Sequence, residues 1–242
     1  MTEGGSVVVG GGMTAARLLG ERGITLISLD LDDTLLDSDA VAEMRIRAAV
    51  EEARRILPSI DQHQGELALR EAIAANPVTV GRISAFLATL EVEPQSEEGV
   101  AIRAAYNRVL LEALEWIEGA RDVLLRLRER YTLAVVTNGP TRMQWPKIWK
   151  FGIESLVDHV VVSGDVGRHK PDPAIFEHLF AQAGVEASRA AHVGDSIHSD
   201  IAGARAAGMT AIWYPPKKRA PDEVGEHRPD AVIDRLEELL GE

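Results

Sequence analysis

The sequence has no cysteine in its 242 residues. This absence excludes disulfide bonds, thiol catalysis and zinc–sulfur sites, and it gives no sign of an oxidising compartment. The sequence also has no apolar run of the ~18–20 residues that a membrane-spanning helix needs. Its first residues lack the basic start and the long apolar stretch of a secretory signal. We therefore expect a cytoplasmic protein without a membrane partner.

Positive charge is scarce as well: 26 Lys and Arg residues are outnumbered by 38 Asp and Glu residues, for a formal net charge of −12. Nucleic-acid binding depends mainly on Lys and Arg side chains that neutralise phosphates, so we expect no nucleic-acid partner. A small anionic substrate remains compatible with this charge, because a metal ion or a local basic cluster can reverse the field inside one cleft.

The apolar pattern predicts an α/β fold with a helical insert. A buried strand is predicted over Ile24–Leu29, helices alone over 38–118, and strands alternating with helices after Gly119. The later strands are predicted at Tyr131–Val136, His159–Val162, Ala190–Val193 and Thr210–Trp213. Such alternation predicts a doubly wound, Rossmann-like parallel sheet. The predicted domains are an extension of unknown role over 1–23, a core over 24–37 and 119–242, and the helical insert over 38–118.

Carboxylates follow two of the predicted strands. Asp30 and Asp32 come after the first strand, and residues two apart in an extended chain point the same way, so both can address one site. Asp195 follows a later strand, and Asp200 falls near the start of the next helix, where capping is the alternative role. Such carboxylates suit a hard cation, and they also serve as nucleophile and general acid or base.

Two further motifs supply groups that suit a phosphate. Thr137, Asn138 and Gly139 follow a predicted strand and offer a hydroxyl, an amide and a freely turning backbone, although Asn-Gly is also typical of a plain turn. Lys170 precedes Pro171 and can neutralise phosphate or carboxylate charge. All the motifs lie at the carboxyl ends of predicted parallel strands, where open α/β sheets build their sites.

Four motifs in this order resemble the haloacid dehalogenase superfamily of hydrolases, which use an aspartate nucleophile. They are DLDDTL at 30–35, TNG at 137–139, KPDP at 170–173 and GDSIHSD at 194–200. The resemblance implies the phosphatase branch, with a helical cap domain formed by the insert. It further implies Mg²⁺-dependent hydrolysis of a small phosphorylated metabolite, of the nucleotide or sugar phosphate type. We expect a monomer or a homodimer.

The resemblance also implies a role for each matched position. Asp30 would attack the phosphoryl group and become the aspartyl-phosphate, and Asp32 would protonate the leaving oxygen and then activate water. Lys170 would hold Asp30 and the transferred group. The substrate-binding residues would be Thr137, Asn138 and Gly139.

The implied metal ligands are Asp30, the backbone carbonyl of Asp32, and Asp195. Asp200 is included in this predicted metal site, with orientation of waters or of Lys170 as the role that the resemblance favours. Candidates for substrate contacts outside the motifs are Arg45, Arg47, Arg103, Arg142 and Gln144.

Other functions remain open at this point. A sugar-phosphate mutase uses the same Asp pair, whereas a 2-haloacid dehalogenase of this fold lacks the second Asp and needs no Mg²⁺. A dinucleotide-binding protein is suggested by the glycine-rich segment Ser6–Ala15, which resembles a strand leading into a glycine turn. A binding protein on an inactive phosphatase scaffold is disfavoured because every catalytic position is filled.

Overall fold

The structure, a computed structural model, describes residues 14–75, 79–216 and 227–241. Its contacts divide the chain into two compact units. The first combines the residues up to Leu36 with those from Trp116 onward, and the second is Asp37–Glu115. None of the helices within the described ranges is long and apolar enough to cross a membrane.

Six parallel strands form the sheet of the first unit, in the order β3-β2-β1-β4-β5-β6. They are β1 (Leu26–Leu29), β2 (Thr132–Thr137), β3 (His159–Val162), β4 (Ala190–Gly194), β5 (Thr210–Trp213) and β6 (Ala231–Val232). Every residue of β1, β4 and β5 is buried, as expected for parallel strands covered on both faces. The chain moves outward from β1 to β3 and then returns to β4 on the other side of β1. The direction of winding therefore reverses at β1, which is where ligands bind in open α/β sheets.

Helices account for most of the remaining described residues. They are α1 (Ala15–Glu21), α2 (Ala42–Ile56), α3 (Gln62–Ala75), α4 (Thr79–Thr89), α5 (Glu97–Ala113), α6 (Ala120–Leu127), α7 (Thr141–Phe151), α8 (Ser163–Val166), α9 (Ala174–Ala183) and α10 (Ala202–Ala206). Short 3₁₀ helices occur at Ile153–Ser155, Ala187–Arg189 and Leu236–Leu240, and a π-helix at Ile197–Ile201.

The second unit is helical and has a core of its own. Its helices are α2 to α5, and α2 directs Ile46, Ala49, Val50 and Ala53 inward at helical spacing. These side chains pack with Phe86 and other apolar residues of the unit in one buried cluster. Burial of a large apolar side chain contributes about 1.5–3 kcal/mol, so this core stabilises the unit.

Local contacts account for two of the helix ends. Helix α2 begins at Ala42, after a turn in which the Asp37 side chain accepts from the Ala40 N–H. Helix α5 ends at Ala113, and Trp116 pairs with Leu36 in a β-bridge.

The predicted N-terminal extension is only partly covered by the described residues. Its glycine-rich segment up to Met13, on which the dinucleotide alternative rests, lies outside them. Ala15–Glu21 forms α1, which begins where the Thr14 hydroxyl accepts from the Arg17 N–H. Leu19 of this helix is fully buried in the first unit.

Candidate active site

The motif residues meet at one edge of the sheet. Asp30 follows β1, Thr137 ends β2 and Asp195 follows β4. The Asp30 N–H donates to the Val193 carbonyl at 2.9 Å, which extends the pairing of β1 and β4 to this point. Because β2, β1 and β4 are parallel neighbours, their carboxyl ends place these residues side by side.

Lys170 joins two of the carboxylates. Its Nζ lies 2.7 Å from Asp30 Oδ1 and 2.6 Å from Asp200 Oδ1, and it also donates to the Val136 carbonyl at 2.7 Å. The three N–H groups of the ammonium thus meet three acceptors. The Lys170 side chain is 1% exposed, so these contacts are shielded from solvent.

Asn138 fixes the backbone that carries Lys170. Its Nδ2 donates to the Lys170 carbonyl at 2.9 Å, and its Oδ1 accepts from the Lys170 N–H at 2.8 Å. This reciprocal pair ties the loop after β2 to the Lys170 loop. One N–H of the Asn138 amide and its oxygen are thus engaged with the backbone, and the predicted contact of Asn138 with substrate stays a prediction.

Asp200 is held from several sides. Its Oδ2 accepts from the Ser196 N–H at 2.9 Å, and its Oδ1 meets His192 Nε2 at 3.2 Å in addition to Lys170. The residue lies in the π-helix Ile197–Ile201, an uncommon geometry that is often found at functional sites. A Cβ on Gly194 would lie 2.3 Å from the Asp200 Cγ, so only glycine leaves room for this carboxylate.

His192 lies beneath the site, on β4. Its Nδ1 is 2.8 Å from Ser28 Oγ, and both residues are fully buried. Burial lowers the pKa of His192, and the neighbouring Lys170 ammonium acts in the same direction. The neutral imidazole thus orients Asp200 without adding charge.

The pKa of Lys170 is raised and the pKa of Asp200 is lowered. Burial alone lowers the pKa of Lys170, but Asp200 and Asp30 raise it above its usual value. Burial alone raises the pKa of Asp200, but Lys170 and His192 lower it below its usual value. These two residues therefore form an ion pair.

Asp30 and Asp195 lie in surroundings with an excess of negative charge. Burial raises the pKa of Asp30 to about 7, with Asp200 and Asp32 acting in the same direction and Lys170 against it. Burial also raises the pKa of Asp195 to about 9, with added repulsion from Asp200 and Asp30. One ammonium does not balance three carboxylates, so a cation at this point would be strongly favoured.

The arrangement of oxygens fits a metal ion. One carboxylate oxygen from each of Asp30, Asp195 and Asp200 lies within 4.8 Å of the others. Oxygen ligands of this kind are preferred by Mg²⁺ and Ca²⁺. Asp200 already uses both oxygens on protein groups, which favours Asp30 and Asp195 as direct ligands. The Asp32 side chain is not part of this cluster and points to other partners.

Asp32 faces helix α7. Lys147 Nζ lies 2.7 Å from its Oδ1 and 2.6 Å from its Oδ2, and Gln144 Nε2 donates to Oδ2 at 3.0 Å. The same Gln144 amide donates to Thr137 Oγ1 at 2.6 Å. Gln144 was a predicted candidate for a substrate contact, whereas Lys147 was not anticipated. The sequence signal for this pair is the spacing of three residues, which places both side chains on one face of a helix.

Gly139 completes the loop after β2. Its N–H donates to Ser163 Oγ at 2.8 Å, so it supports the loop from the side of α8. Its φ of 154° and the position of the Gln144 side chain, 2.9 Å from an added Cβ, both favour glycine. The predicted contact of this residue with substrate stays a prediction.

The predicted arginine candidates lie on α2, α5 and α7. Arg45 is buried within the helical unit, where its guanidinium stacks 3.9 Å from the Tyr106 ring centre. Arg103 donates to the Pro94 carbonyl of the same unit, and Arg47 is exposed. Arg142 is exposed on α7.

Comparison with known proteins identifies the family. Residues 24–208 match the haloacid dehalogenase-like hydrolases. The chain belongs to this family. The match covers most of the chain and all four motifs, so the predicted family is confirmed, as is an α/β fold with a Rossmann-like parallel sheet.

Individual relatives carry phosphatase names. A glyceraldehyde 3-phosphate phosphatase from Pyrococcus abyssi is 34% identical over 79% of this chain and 81% of its own length. A phosphoserine phosphatase from Thermus thermophilus is 29% identical over 89% of this chain and 97% of its own. These relatives confirm an enzyme of phosphatase type.

A solved structure agrees with the fold. The putative hydrolase YfnB from Bacillus subtilis, whose crystal structure has magnesium bound, superposes with a TM-score of 0.70 at 26% identity. The superposition covers 90% of this chain and 97% of that one.

Proposed function

We propose that this protein is a Mg²⁺-dependent phosphatase of small phosphorylated metabolites that works through an aspartyl-phosphate on Asp30. The observation that carries the proposal is the Asp30 carboxylate at a strand end, 2.7 Å from the buried Lys170 ammonium and beside Asp195. A carboxylate can attack a phosphoryl group only when nearby positive charge offsets the repulsion between the two anions.

The first step transfers the phosphoryl group to the protein. Asp30 Oδ attacks phosphorus in line, the bond from phosphorus to the ester oxygen breaks, and Asp32 gives its proton to that leaving oxygen. The leaving alcohol departs neutral, and Asp32 becomes a carboxylate. Lys170 holds Asp30 for this attack and balances charge on the transferred group.

The second step releases phosphate. Asp32 takes a proton from a water molecule as the water oxygen attacks phosphorus, and the bond from Asp30 to phosphorus breaks. Inorganic phosphate leaves, and both carboxyl groups return to their starting states. The same residue thus acts first as acid and then as base.

The loop after β2 is the proposed site for the phosphoryl oxygens. Thr137 Oγ1 accepts from Gln144, which leaves its own proton available for a phosphoryl oxygen. Asn138 would contribute its backbone N–H and the second N–H of its side-chain amide, since the first is engaged with Lys170. These donors would orient the group for in-line attack.

Mg²⁺ would be held by the carboxylates of Asp30 and Asp195 and by the backbone carbonyl of Asp32, with Asp200 orienting Lys170. When bound, it would neutralise charge on the phosphoryl oxygens and on these carboxylates. The raised pKa values of Asp30 and Asp195 support this assignment, since both groups resist ionisation without a cation.

The helical unit is proposed to serve as the cap that selects the leaving group. The relatives named as glyceraldehyde 3-phosphate and phosphoserine phosphatases suggest substrates built on three carbons. We therefore place small phosphorylated three-carbon acids, aldehydes and amino acids ahead of nucleotides as the class to test first.

The test is release of inorganic phosphate from a panel that contains glyceraldehyde 3-phosphate, phosphoserine, sugar phosphates and nucleoside monophosphates. Each compound is assayed with Mg²⁺ and with chelator, on the native protein, Asp30→Asn and Asp122→Asn. Asp122 is exposed on α6 and serves as a matched control. We expect metal-dependent release from the native protein and the control, and none from Asp30→Asn. Conversion of a sugar phosphate into an isomer without phosphate release would point to a mutase instead.

A further inference from the structure

Helix α7 presents two buried polar side chains to the acid–base residue. Gln144 is 2% exposed and Lys147 is 4% exposed, and both contact Asp32. They lie three residues apart and therefore on the same face of the helix. Neither residue belongs to any of the four motifs.

Burial of these groups is costly unless they are well paired. A buried ammonium must meet an opposite charge in good geometry, and truncation of one partner is strongly destabilising. Among the ion pairs of the described residues, the partner of Lys147 is Asp32, at 2.6 Å. The Asp32 side chain stays 28% exposed. The exposed part leaves Asp32 accessible to a reacting molecule.

The contact geometry fixes the orientation of the Asp32 carboxyl group. Lys147 Nζ touches both carboxylate oxygens, at 2.7 and 2.6 Å, and Gln144 donates to one of them at 3.0 Å. These contacts bind both oxygens of the carboxyl group to one face of α7. A group held in one orientation is what proton transfer from the attacking water needs in the second step.

Gln144 also links Asp32 to the phosphate-binding loop. Its Nε2 donates to Thr137 Oγ1 at 2.6 Å as well as to Asp32, so one amide sets the distance between the two. Gly139 allows this, because an added Cβ would lie 2.9 Å from the Gln144 side chain.

We propose that Lys147, assisted by Gln144, is a positioning residue for the second step: it fixes the orientation in which Asp32 accepts a proton from the hydrolytic water. The inference rests on the proposed function and adds residues that none of the motifs contains. Formation of the aspartyl-phosphate from an ester with a good leaving group needs no proton donor, so Lys147 should matter little there.

The test separates the two steps with p-nitrophenyl phosphate as the probe. For Lys147→Met we expect kcat to fall about 10- to 100-fold, in keeping with the weight of a general base, while kcat/KM changes by less than about threefold. KM then falls with kcat, and acid-quenched samples contain more phosphorylated protein than native ones. Asp32→Asn should show the same split more strongly.

Three further variants secure the interpretation. Lys147→Gln keeps a buried donor without the charge and should show the same split, and Lys147→Arg keeps the charge and should recover part of kcat. Lys150→Met, on the exposed side of α7, should match the native protein. Thermal unfolding of each variant establishes that it is folded.

Two results would overturn the inference. If folded Lys147→Met and Lys147→Gln keep native kcat, or lose kcat and kcat/KM equally without more phosphorylated protein, Lys147 has no separate role in the second step. If the native protein forms no phosphorylated intermediate and hydrolyses no ester, the proposed function itself fails and takes the inference with it.

Discussion

Gly194→Ala tests the packing that holds Lys170 in place. Gly194 ends β4, and a Cβ at this position would lie 2.3 Å from Asp200 Cγ and 2.5 Å from its Oδ2. Ordinary carbon contacts begin near 3.5 Å, so Asp200 must move by about 1 Å. The Asp200 carboxylate is fully buried and cannot move into solvent.

The expected cost follows from the contacts that such a shift breaks. Asp200 would lose good geometry with Lys170, now at 2.6 Å, and with the Ser196 N–H, now at 2.9 Å. Overpacking costs about 1–3 kcal/mol, and a broken buried ion pair costs about 3–5 kcal/mol when nothing relaxes. With partial relaxation we expect about 2–4 kcal/mol, which lowers Tm by roughly 5–15 °C in a protein of this size.

The assay is thermal and urea unfolding of the native protein, Gly194→Ala and Gly20→Ala, together with phosphatase activity. Gly20 lies in α1 with no atom within 4 Å of an added Cβ, so the same substitution there should leave stability unchanged or raise it by up to about 1 kcal/mol. Activity of Gly194→Ala should fall at least tenfold, because a displaced Lys170 no longer holds Asp30. Native stability and activity in Gly194→Ala would refute the anchoring of Lys170 by Asp200.

Three further predictions concern charge and loop contacts. In the folded protein without metal, Asp30 and Asp195 keep their protons up to about pH 7 and about pH 9, whereas the unfolded chain loses them above pH 3.8. The free energy of unfolding therefore falls as the pH rises through this range. Mg²⁺ should therefore raise the urea midpoint more at about pH 8 than at about pH 5, and an equal rise at both would contradict this. Asn138→Ala removes both hydrogen bonds to the Lys170 backbone and should lower kcat proportionally more than it lowers Tm. The control is Asn107→Ala, at a partly exposed residue of α5. His192→Leu should destabilise by about 1–3 kcal/mol in urea unfolding, since Asp200 and Ser28 lose a buried partner, and an unchanged midpoint would count against this network.

Much of the site follows from the order of the sequence alone. Asp30, Thr137 and Asp195 each come directly after a run of buried apolar residues, and the rules of parallel sheets bring such positions to one edge. The contact of Lys170 with Asp30 was also predicted from the joint pattern of motifs, and the two atoms lie 2.7 Å apart. Local pattern and topology together are sufficient for these residues.

Other features depend on side-chain packing that no local pattern contains. Lys147 and Asp32 are 115 positions apart, and only the placement of α7 beside the segment that follows β1 brings them into contact. Likewise, the sequence does not reveal that the Asn138 amide turns to the Lys170 backbone, because either direction is compatible with the turn after β2. Pro146 inside α7 further obscured the helical spacing of Gln144 and Lys147.

The central claim is that Asp30 carries the phosphoryl group during turnover. The most direct measurement is acid quench of the native protein and Asp32→Asn during turnover of p-nitrophenyl phosphate with Mg²⁺, followed by peptide mapping and mass spectrometry. We predict one added phosphoryl group on the peptide that contains Asp30, at higher occupancy in Asp32→Asn and absent in Asp30→Asn. Phosphate release without any modification of that peptide, or undiminished release by Asp30→Asn, would contradict the account.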